Sequence, residues 1–250
     1  MGKEITFKDN NTVLRAKWFE PENAKEQYPV VLLATGDGPK GSGGQTWATI
    51  PKMLNEKGIA AFLFDFAGLG KSDGMRKELT ISTGISNFKA ALRQIGKHTG
   101  HAPKSVGVFA ASFGGNAALL ACATEPDIKA IALKSPCCYL PEAFICEFGH
   151  DLVNKWANTG FLEQIGFNYD SFIDSLRYST YEAATKIDAT VMVAHGEADT
   201  IIPFRQSQDL MHYLKEGDLV GIPGADHWYA EGDQWQQMAT TLVDFLANEL

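Results

Sequence analysis

The sequence predicts an α/β protein, a mostly parallel, doubly wound sheet of about eight strands interrupted once by an inserted cap. Three observations predict it. From residue 29 onward, short apolar runs alternate with longer amphipathic stretches. A pair of strand-like runs around a turn-forming cluster precedes them, and about fifty residues separate two of the runs where one crossover helix would suffice. With 250 residues and 45% apolar composition, the chain is long enough to bury one sizeable core.

The elements follow in chain order. Residues 4–7 and 13–18 flank Asp9-Asn10-Asn11, whose side chains favour a tight turn, so they predict an antiparallel hairpin on the sheet edge. Runs 30–35, 60–66, 106–110, 128–133, 190–194 and 219–222 have the continuous apolar character of strands covered on both faces. Between them, residues 47–57, 81–98, 116–123, 204–214 and 235–248 carry apolar side chains at three-to-four spacing and predict helices. Such regular alternation implies right-handed crossovers. The expected division is a core of residues 1–135 and 189–250 with residues 136–188 as the cap. Ten of the 27 aromatic residues fall in that segment: Tyr139, Phe144, Phe148, Trp156, Phe161, Phe167, Tyr169, Phe172, Tyr178 and Tyr181. Some of these must pack the insertion itself. Collectively they predict an apolar lid over a pocket.

A formal charge of -8 argues against nucleic-acid binding, which needs clustered Lys and Arg. The opening residues show no basic-then-apolar signal peptide, and no eighteen apolar residues run together, so the expectation is a cytoplasmic protein without a stable membrane anchor. Gly2 with Thr6 fits a loose myristoylation pattern, but no basic patch accompanies it. Four cysteines, Cys122, Cys137, Cys138 and Cys146, lack the spacing of a disulfide framework or zinc site, and buried free thiols are the favoured reading. Adjacent Cys137 and Cys138 directly follow a strand, which leaves a reactive thiol open.

In an open parallel sheet, ligands bind beyond the carboxyl ends of the strands. After run 106–110 comes Ala111-Ser112-Phe113-Gly114-Gly115 and then a helix. A serine on a sharp strand-to-helix turn is lifted above the sheet edge, and the turn requires small residues two before and two after it, here Ala110 and Gly114. The bland alternative for Ser112 is a helix N-cap. After run 190–194 comes a loop with Asp199, and after run 219–222 a loop with His227. The order Ser, Asp, His at three strand ends suits nucleophilic catalysis: a serine hydroxyl needs a base titrating near neutrality, and that base needs a carboxylate to fix its tautomer. Glu197 and Asp226 are the rivals of Asp199; Glu197 follows the strand too soon, and Asp226, beside His227, would normally point elsewhere. His195, at a strand end before a glycine, reads as packed and hydrogen-bonded.

The tetrahedral intermediate of acyl transfer needs preorganised N–H donors. Phe113, at the helix start, should supply one, and Asp37 in the loop Gly36-Asp37-Gly38 should supply the second, with its side chain turned away toward Lys40. The glycines of residues 36–44 also raise a phosphate loop as a rival, but neither the Gly-Lys-Ser/Thr ending nor GxGxxG spacing is present. Gly36, Gly38, Tyr139, Phe144, Phe148, Trp156 and Trp228 are the candidate substrate contacts.

The stretches 65–74, the Ser112 turn, 195–203 and 224–227 together resemble the serine α/β-hydrolases of the cinnamoyl and feruloyl esterase type, close to the prolyl-oligopeptidase-like hydrolases. The resemblance spans nearly the whole chain and includes an insertion where that family carries its cap. It implies the α/β-hydrolase fold, hydrolysis of carboxylic esters without metal or cofactor, Ser112, Asp199 and His227 as triad, and Phe113 and Asp37 as oxyanion donors. Two departures matter: Thr35-Gly36-Asp37 stands where the family has His-Gly-aromatic, and the cap matches no family string. Residues 65–74 are expected to be structural.

The leading expectation is therefore a carboxylesterase acting on small or medium acyl, or aromatic acyl, esters through an acyl-enzyme. The alternatives are a peptidase or amidase, or an acyl-thioesterase, on the same triad, and a non-catalytic binding protein of the same fold. The expected partner is a small-molecule ester, and the reading leaves room for a homodimer.

Overall fold

The computed structural model describes residues 2–22, 27–99, 105–125 and 127–250. Strands β1 (Lys3–Asp9) and β2 (Thr12–Phe19) pair antiparallel with Asp9 opposite Thr12, so Asn10 and Asn11 form a two-residue turn. Asn10 sits at φ 52°, a left-handed conformation that asparagine tolerates. β2 docks antiparallel on β4 (Ala60–Phe64). The remaining strands, β3 (Val30–Ala34), β5 (Val106–Ala111), β6 (Ile128–Lys134), β7 (Thr190–Gly196) and β8 (Gly217–Ile222), are parallel to one another and to β4. The eight-stranded order is β1-β2-β4-β3-β5-β6-β7-β8, with the hairpin at one edge as expected.

Helices α1 (Gln45–Glu56), α2 (Ile81–Thr99), α3 (Phe113–Cys122), α4 (Leu140–Thr159), α5 (Asp170–Ser175), α6 (Thr180–Ala184), α7 (Arg205–Met211) and α8 (Gln234–Glu249) complete the chain. Alternate residues of β3 serve opposite layers. Val31 and Leu33 pack with Ile50 and Leu54 of α1 and Leu242 and Val243 of α8. Val30, Leu32 and Ala34 join Phe88 of α2 and Ala117 of α3 on the other face. Burying strands on both faces is what makes these runs continuously apolar.

Helix α3 starts three residues earlier than its apolar spacing suggests. Gly114 and Gly115, poor helix formers, hide the start, yet both are needed there: a Cβ on Gly114 would stand 2.2 Å from the Thr35 carbonyl oxygen, and one on Gly115 would stand 2.9 Å from Pro136 Cβ.

The segment 136–188 holds α4, α5 and α6. α4 kinks at Gly149, whose φ 77° and ψ 158° are outside the helical range. Most of its rings turn inward on one another. Phe144 lies 5.0 Å from Trp156, Trp156 lies 5.1 Å from Tyr169, and Tyr169 stacks on Phe172 at 5.3 Å. This cluster is continuous with the sheet's own core, so the aromatic richness mainly packs residues 136–188 onto the sheet.

Residues 65–74 act structurally. The buried Asp65 carboxylate accepts from the Ser42 N–H at 2.6 Å and the Lys71 N–H at 3.1 Å, pinning the loops after β3 and β4 together. Gly70, at φ 54°, is in the left-handed region, and a Cβ there would meet Asp65 at 2.3 Å.

Candidate active site

Ser112 stands between β5 and α3 at φ 52° and ψ -121°, a strained conformation for a residue with a side chain. Its own backbone holds it there. The Ser112 N–H donates to the Lys134 carbonyl at 3.0 Å, and its carbonyl accepts from the Cys137 N–H at 3.1 Å. Although Ser112 occupies the N-cap position, its side chain caps nothing. The hydroxyl faces a cleft instead, shared with His227, Phe113, Asp37 and, from α4, Leu140, Phe144 and Glu147. No hydrogen bond joins that hydroxyl to the His227 ring among the described residues. Such bonds are often long in the ligand-free state and tighten with substrate.

The loops after β7 and β8 are packed backbone to backbone. Gly196 makes this approach feasible, since a Cβ there would stand 2.4 Å from the Ala225 carbonyl oxygen. The Ala198 N–H donates to that carbonyl at 2.9 Å. The result places His227 Nδ1 2.6 Å from Asp199 Oδ2, both residues buried. With Nδ1 facing a carboxylate, the ring proton is assigned there and Nε2 is left as the basic nitrogen.

Asp199 is held on every side. Its Oδ1 accepts from the N–H groups of Ile201 and Ile202 at 2.9 and 2.8 Å, and its Oδ2 also lies 3.3 Å from His195 Nε2. Burial pushes its carboxyl upward, but the hydrogen bonds from His195 and His227, the attraction of His227 and the Ile202 N–H together hold it well below the usual carboxylate range. His195 is fully buried, with Nδ1 2.7 Å from Ser207 Oγ and Nε2 3.0 Å from the Ile202 carbonyl, so its ring supports the aspartate. Asp226 is spent locally, its Oδ1 accepting from the Trp228 N–H at 2.9 Å and the Ala230 N–H at 3.3 Å. Glu197 lies on the surface against Gly221, away from His227.

Beneath His227 is an unexpected lysine. Lys134, the buried last residue of β6, donates to the His227 carbonyl at 2.8 Å and lies 4.6 Å from the Tyr229 ring centroid. Burial lowers it to about 8, against the raising pull of Asp199 and Asp226. Tyr229 in turn donates to the Ala194 carbonyl at 3.0 Å. The sequence did hold a signal for Lys134: a charge closing an otherwise apolar strand.

Opposite the histidine, Gly36 packs against the serine, where a Cβ would stand 3.3 Å from Ser112 Cβ. Phe113 opens α3, so its N–H belongs to the donors a helix leaves without an internal partner. Asp37 borders the cleft, and its backbone carbonyl accepts from Arg76 Nε at 2.9 Å. The expected Asp37–Lys40 ion pair is not formed among the described residues; the Asp37 charge acts instead on Glu147. Glu147 is exposed toward the mouth of the cleft, yet is raised to about 7 by burial first and the Asp37 charge second, with Arg76 opposing. No sequence signal marked Glu147, which reads as one more polar position on α4.

The other candidate substrate contacts divide. Phe144 and Trp228 border the cleft, Trp228 with 67% of its surface exposed. Trp156 does not, because its fully buried indole packs among the rings of residues 136–188 and donates to the Phe167 carbonyl at 2.8 Å. Phe148 stacks behind Phe144 at 6.4 Å. Tyr139 turns its ring to solvent, its backbone being paired with Gln206 through bonds of 2.9 and 3.1 Å. Gly38 has open space around it. Cys122, Cys137 and Cys138 are buried, and burial pushes each thiol up, which removes the reactive-thiol option; Cys146, expected to be buried, is exposed.

An eight-stranded sheet of this order, with a serine on a strained strand-to-helix turn, is the architecture of the α/β-hydrolases, and the chain is one of them. Residues 41–165, half of the 250, match the family model described as "Serine aminopeptidase, S33", and the protein belongs to that family. Among curated relatives it is 23% identical to "Uncharacterized protein YfhR" of Escherichia coli O157:H7, over 99% of this chain and 80% of that protein. It is 26% identical to "Lysophosphatidylserine lipase ABHD12" of Danio rerio, over 84% of this chain and 52% of that one. Among solved structures, Est1E from Butyrivibrio proteoclasticus with ferulic acid bound superposes with a TM-score of 0.81, at 22% identity and 98% coverage of each chain. Among the described residues, no helix is long and apolar enough to cross a membrane.

Proposed function

We propose that the protein hydrolyses carboxylic esters, with Ser112 as nucleophile, His227 as general base and acid, and Asp199 as the carboxylate that orients His227. One observation carries this reading: the 2.6 Å Asp199–His227 pair opens on the same cleft as a serine held at φ 52°. In this reading residues 1–135 and 189–250 form the catalytic core, and residues 136–188 form a cap that supplies one wall.

Ser112 Oγ attacks the ester carbonyl carbon while its proton passes to His227 Nε2. The carbonyl oxygen becomes an oxyanion, which the N–H groups of Phe113 and Asp37 receive. As the tetrahedral adduct collapses, the C–O bond to the alcohol breaks and His227 returns the proton to the departing oxygen. Water then attacks the acyl-Ser112 carbonyl, again giving a proton to His227; collapse releases the acid and the proton returns to Ser112. Asp199 stays ionised throughout, stabilising the imidazolium formed twice per cycle. The apolar lining, Leu140, Phe144, Ile201 and Ile202, suits a small or aromatic acyl group.

Turnover of p-nitrophenyl acetate and butyrate tests the proposal, and Ser112→Ala should lower kcat on the order of 10⁶-fold. Retention of most activity would overturn it. A second reading, cleavage of an amide, is favoured by the family's own description as aminopeptidases. Aminoacyl p-nitroanilides and acyl-CoA run beside the esters separate amide and thioester cleavage from ester cleavage. Labelling by a fluorophosphonate separates all three from a non-catalytic binding role.

A further inference from the structure

We infer that Arg76 is a positioning residue that preorganises the Asp37 N–H for the oxyanion and couples residues 136–188 to it; the inference rests on the ester-hydrolysis reading above. Arg76 lies in a short turn (Arg76–Glu78) before α2, outside the insertion and outside every loop that follows a strand bearing Ser112, Asp199 or His227. Its Nε donates to the Asp37 carbonyl at 2.9 Å. Its guanidinium carbon stands 4.1 Å from the Phe167 ring centroid, and Phe167 packs on Phe144, which borders the cleft. Gly166 makes room for the guanidinium: at φ 78° it carries no Cβ, and one placed there would stand 2.2 Å from Arg76 Nη1. The neighbouring Asn168 N–H donates to the Lys77 carbonyl at 2.8 Å, so the contact is a joint between two chain segments.

The physical need for such an anchor is clear from the loop. Asp37 stands between Gly36 and Gly38, the residues with the greatest backbone freedom. A donor that stabilises a transient oxyanion must be oriented before the charge develops, otherwise the reorientation adds to the barrier. Pinning the Asp37 carbonyl removes the rotation about its own Cα that would swing the loop away from Ser112. A charge-assisted bond does this more firmly than a neutral one. Only arginine can donate from Nε and lay a flat guanidinium on Phe167 at once; lysine, a point charge on a flexible stem, can do one or the other.

The test compares wild type, Arg76→Lys and Arg76→Ala on p-nitrophenyl butyrate, together with inhibition by an alkyl trifluoromethyl ketone, which adds to Ser112 as an oxyanion-bearing hemiketal, and by butyrate. Circular dichroism and melting curves identify folded variants, and Arg76→Lys carries the test if Arg76→Ala does not fold. Expected is a fall in kcat of about 10- to 100-fold, with KM changed less than about threefold, an equal fall in ketone affinity and unchanged butyrate affinity. Unchanged kcat and ketone affinity in a folded variant overturns the inference. So does an equal loss of ketone and butyrate affinity, which would make Arg76 part of the binding wall. A wild-type protein inert to both ester and ketone overturns the ester reading and this inference with it; an active wild type beside unimpaired variants overturns this inference alone.

Discussion

Around Asp199 and His227, two loops lock through backbone contacts, a carboxylate takes up two N–H groups and two imidazoles, and a buried lysine closes the floor beneath. Across the cleft, residues 36–38 have glycines on both sides of Asp37, with Arg76 holding its carbonyl, and the facing wall ends in a half-titrated carboxyl on a kinked helix. The difference teaches a division of labour. The Asp199–His227 side is built to hold one geometry, whereas the opposite wall joins a loop flanked by glycines, a single Arg76 hydrogen bond and a carboxyl raised to about 7.

The strongest way to break that comparison is Asp199→Asn. The amide keeps the size, and its oxygen can still accept the Ile201 and Ile202 N–H groups, but it no longer fixes the His227 tautomer. Expected is a loss of kcat on the order of 10³- to 10⁴-fold. Stability should change as well. The folded carboxyl titrates below its unfolded value, so its contribution is complete above the unfolded pKa and is lost as pH falls through the acid range. Asp199→Asn should therefore be less stable than wild type at pH 7, the difference between the two melting curves beginning to shrink only below about pH 4 and still shrinking below pH 3. Near-normal turnover would mean that the carboxylate is structural and that the floor is not the catalytic side.

Lys134→Met probes the same floor with a smaller effect. Lys134 loses its proton near pH 8 in the native protein and near 10.5 in the unfolded chain, burial being the main cause. Its charged form thus costs stability below about pH 8, and the cost fades as pH rises toward 10.5, where the unfolded chain binds the extra proton. Wild type should gain on the variant by up to about 3 kcal/mol between pH 7.5 and 10.5, read by urea unfolding of both proteins. Parallel pH profiles would show that the lysine is solvated in solution and that the floor is looser than its contacts indicate.

What could be read from the sequence follows the same line. Strand runs, the hairpin turn at Asn10 and the placing of Ser112, Asp199 and His227 in loops after β5, β7 and β8 were legible because apolar periodicity and strand-end loops are local patterns. The aromatic segment was legible only as an excess of rings between two strands. Which rings would face a ligand depends on packing that apolar spacing does not encode: Trp156 went to the interior and Phe148, partly buried, packs behind Phe144, because these residues must first bury their own core. Arg76 and Glu147 left no trace, since their role arises from a fold that brings the loop after β3, the turn before α2 and the middle of α4 together.

The finest test of the comparison is Glu147→Gln, on the opposite wall. Glu147 titrates near pH 7, so raising pH from 6 to 8 adds a negative charge beside Asp37 at the mouth of the cleft. A neutral ester such as p-nitrophenyl butyrate should be nearly indifferent. An ester with an anionic acyl group, p-nitrophenyl succinate, should show KM rising about two- to fivefold across that interval, since a like charge partly exposed to water acts weakly. Glu147→Gln should flatten the rise for the succinate and leave kcat for the butyrate within twofold, because the carboxyl lies on the wall and takes no part in proton transfer. If the KM ratio between the two esters stays constant with pH in wild type, Glu147 is screened by solvent and charge selection at this wall fails. If Glu147→Gln instead depresses kcat for both esters, the wall reaches the reacting atoms and the two sides of the cleft are not separate in function.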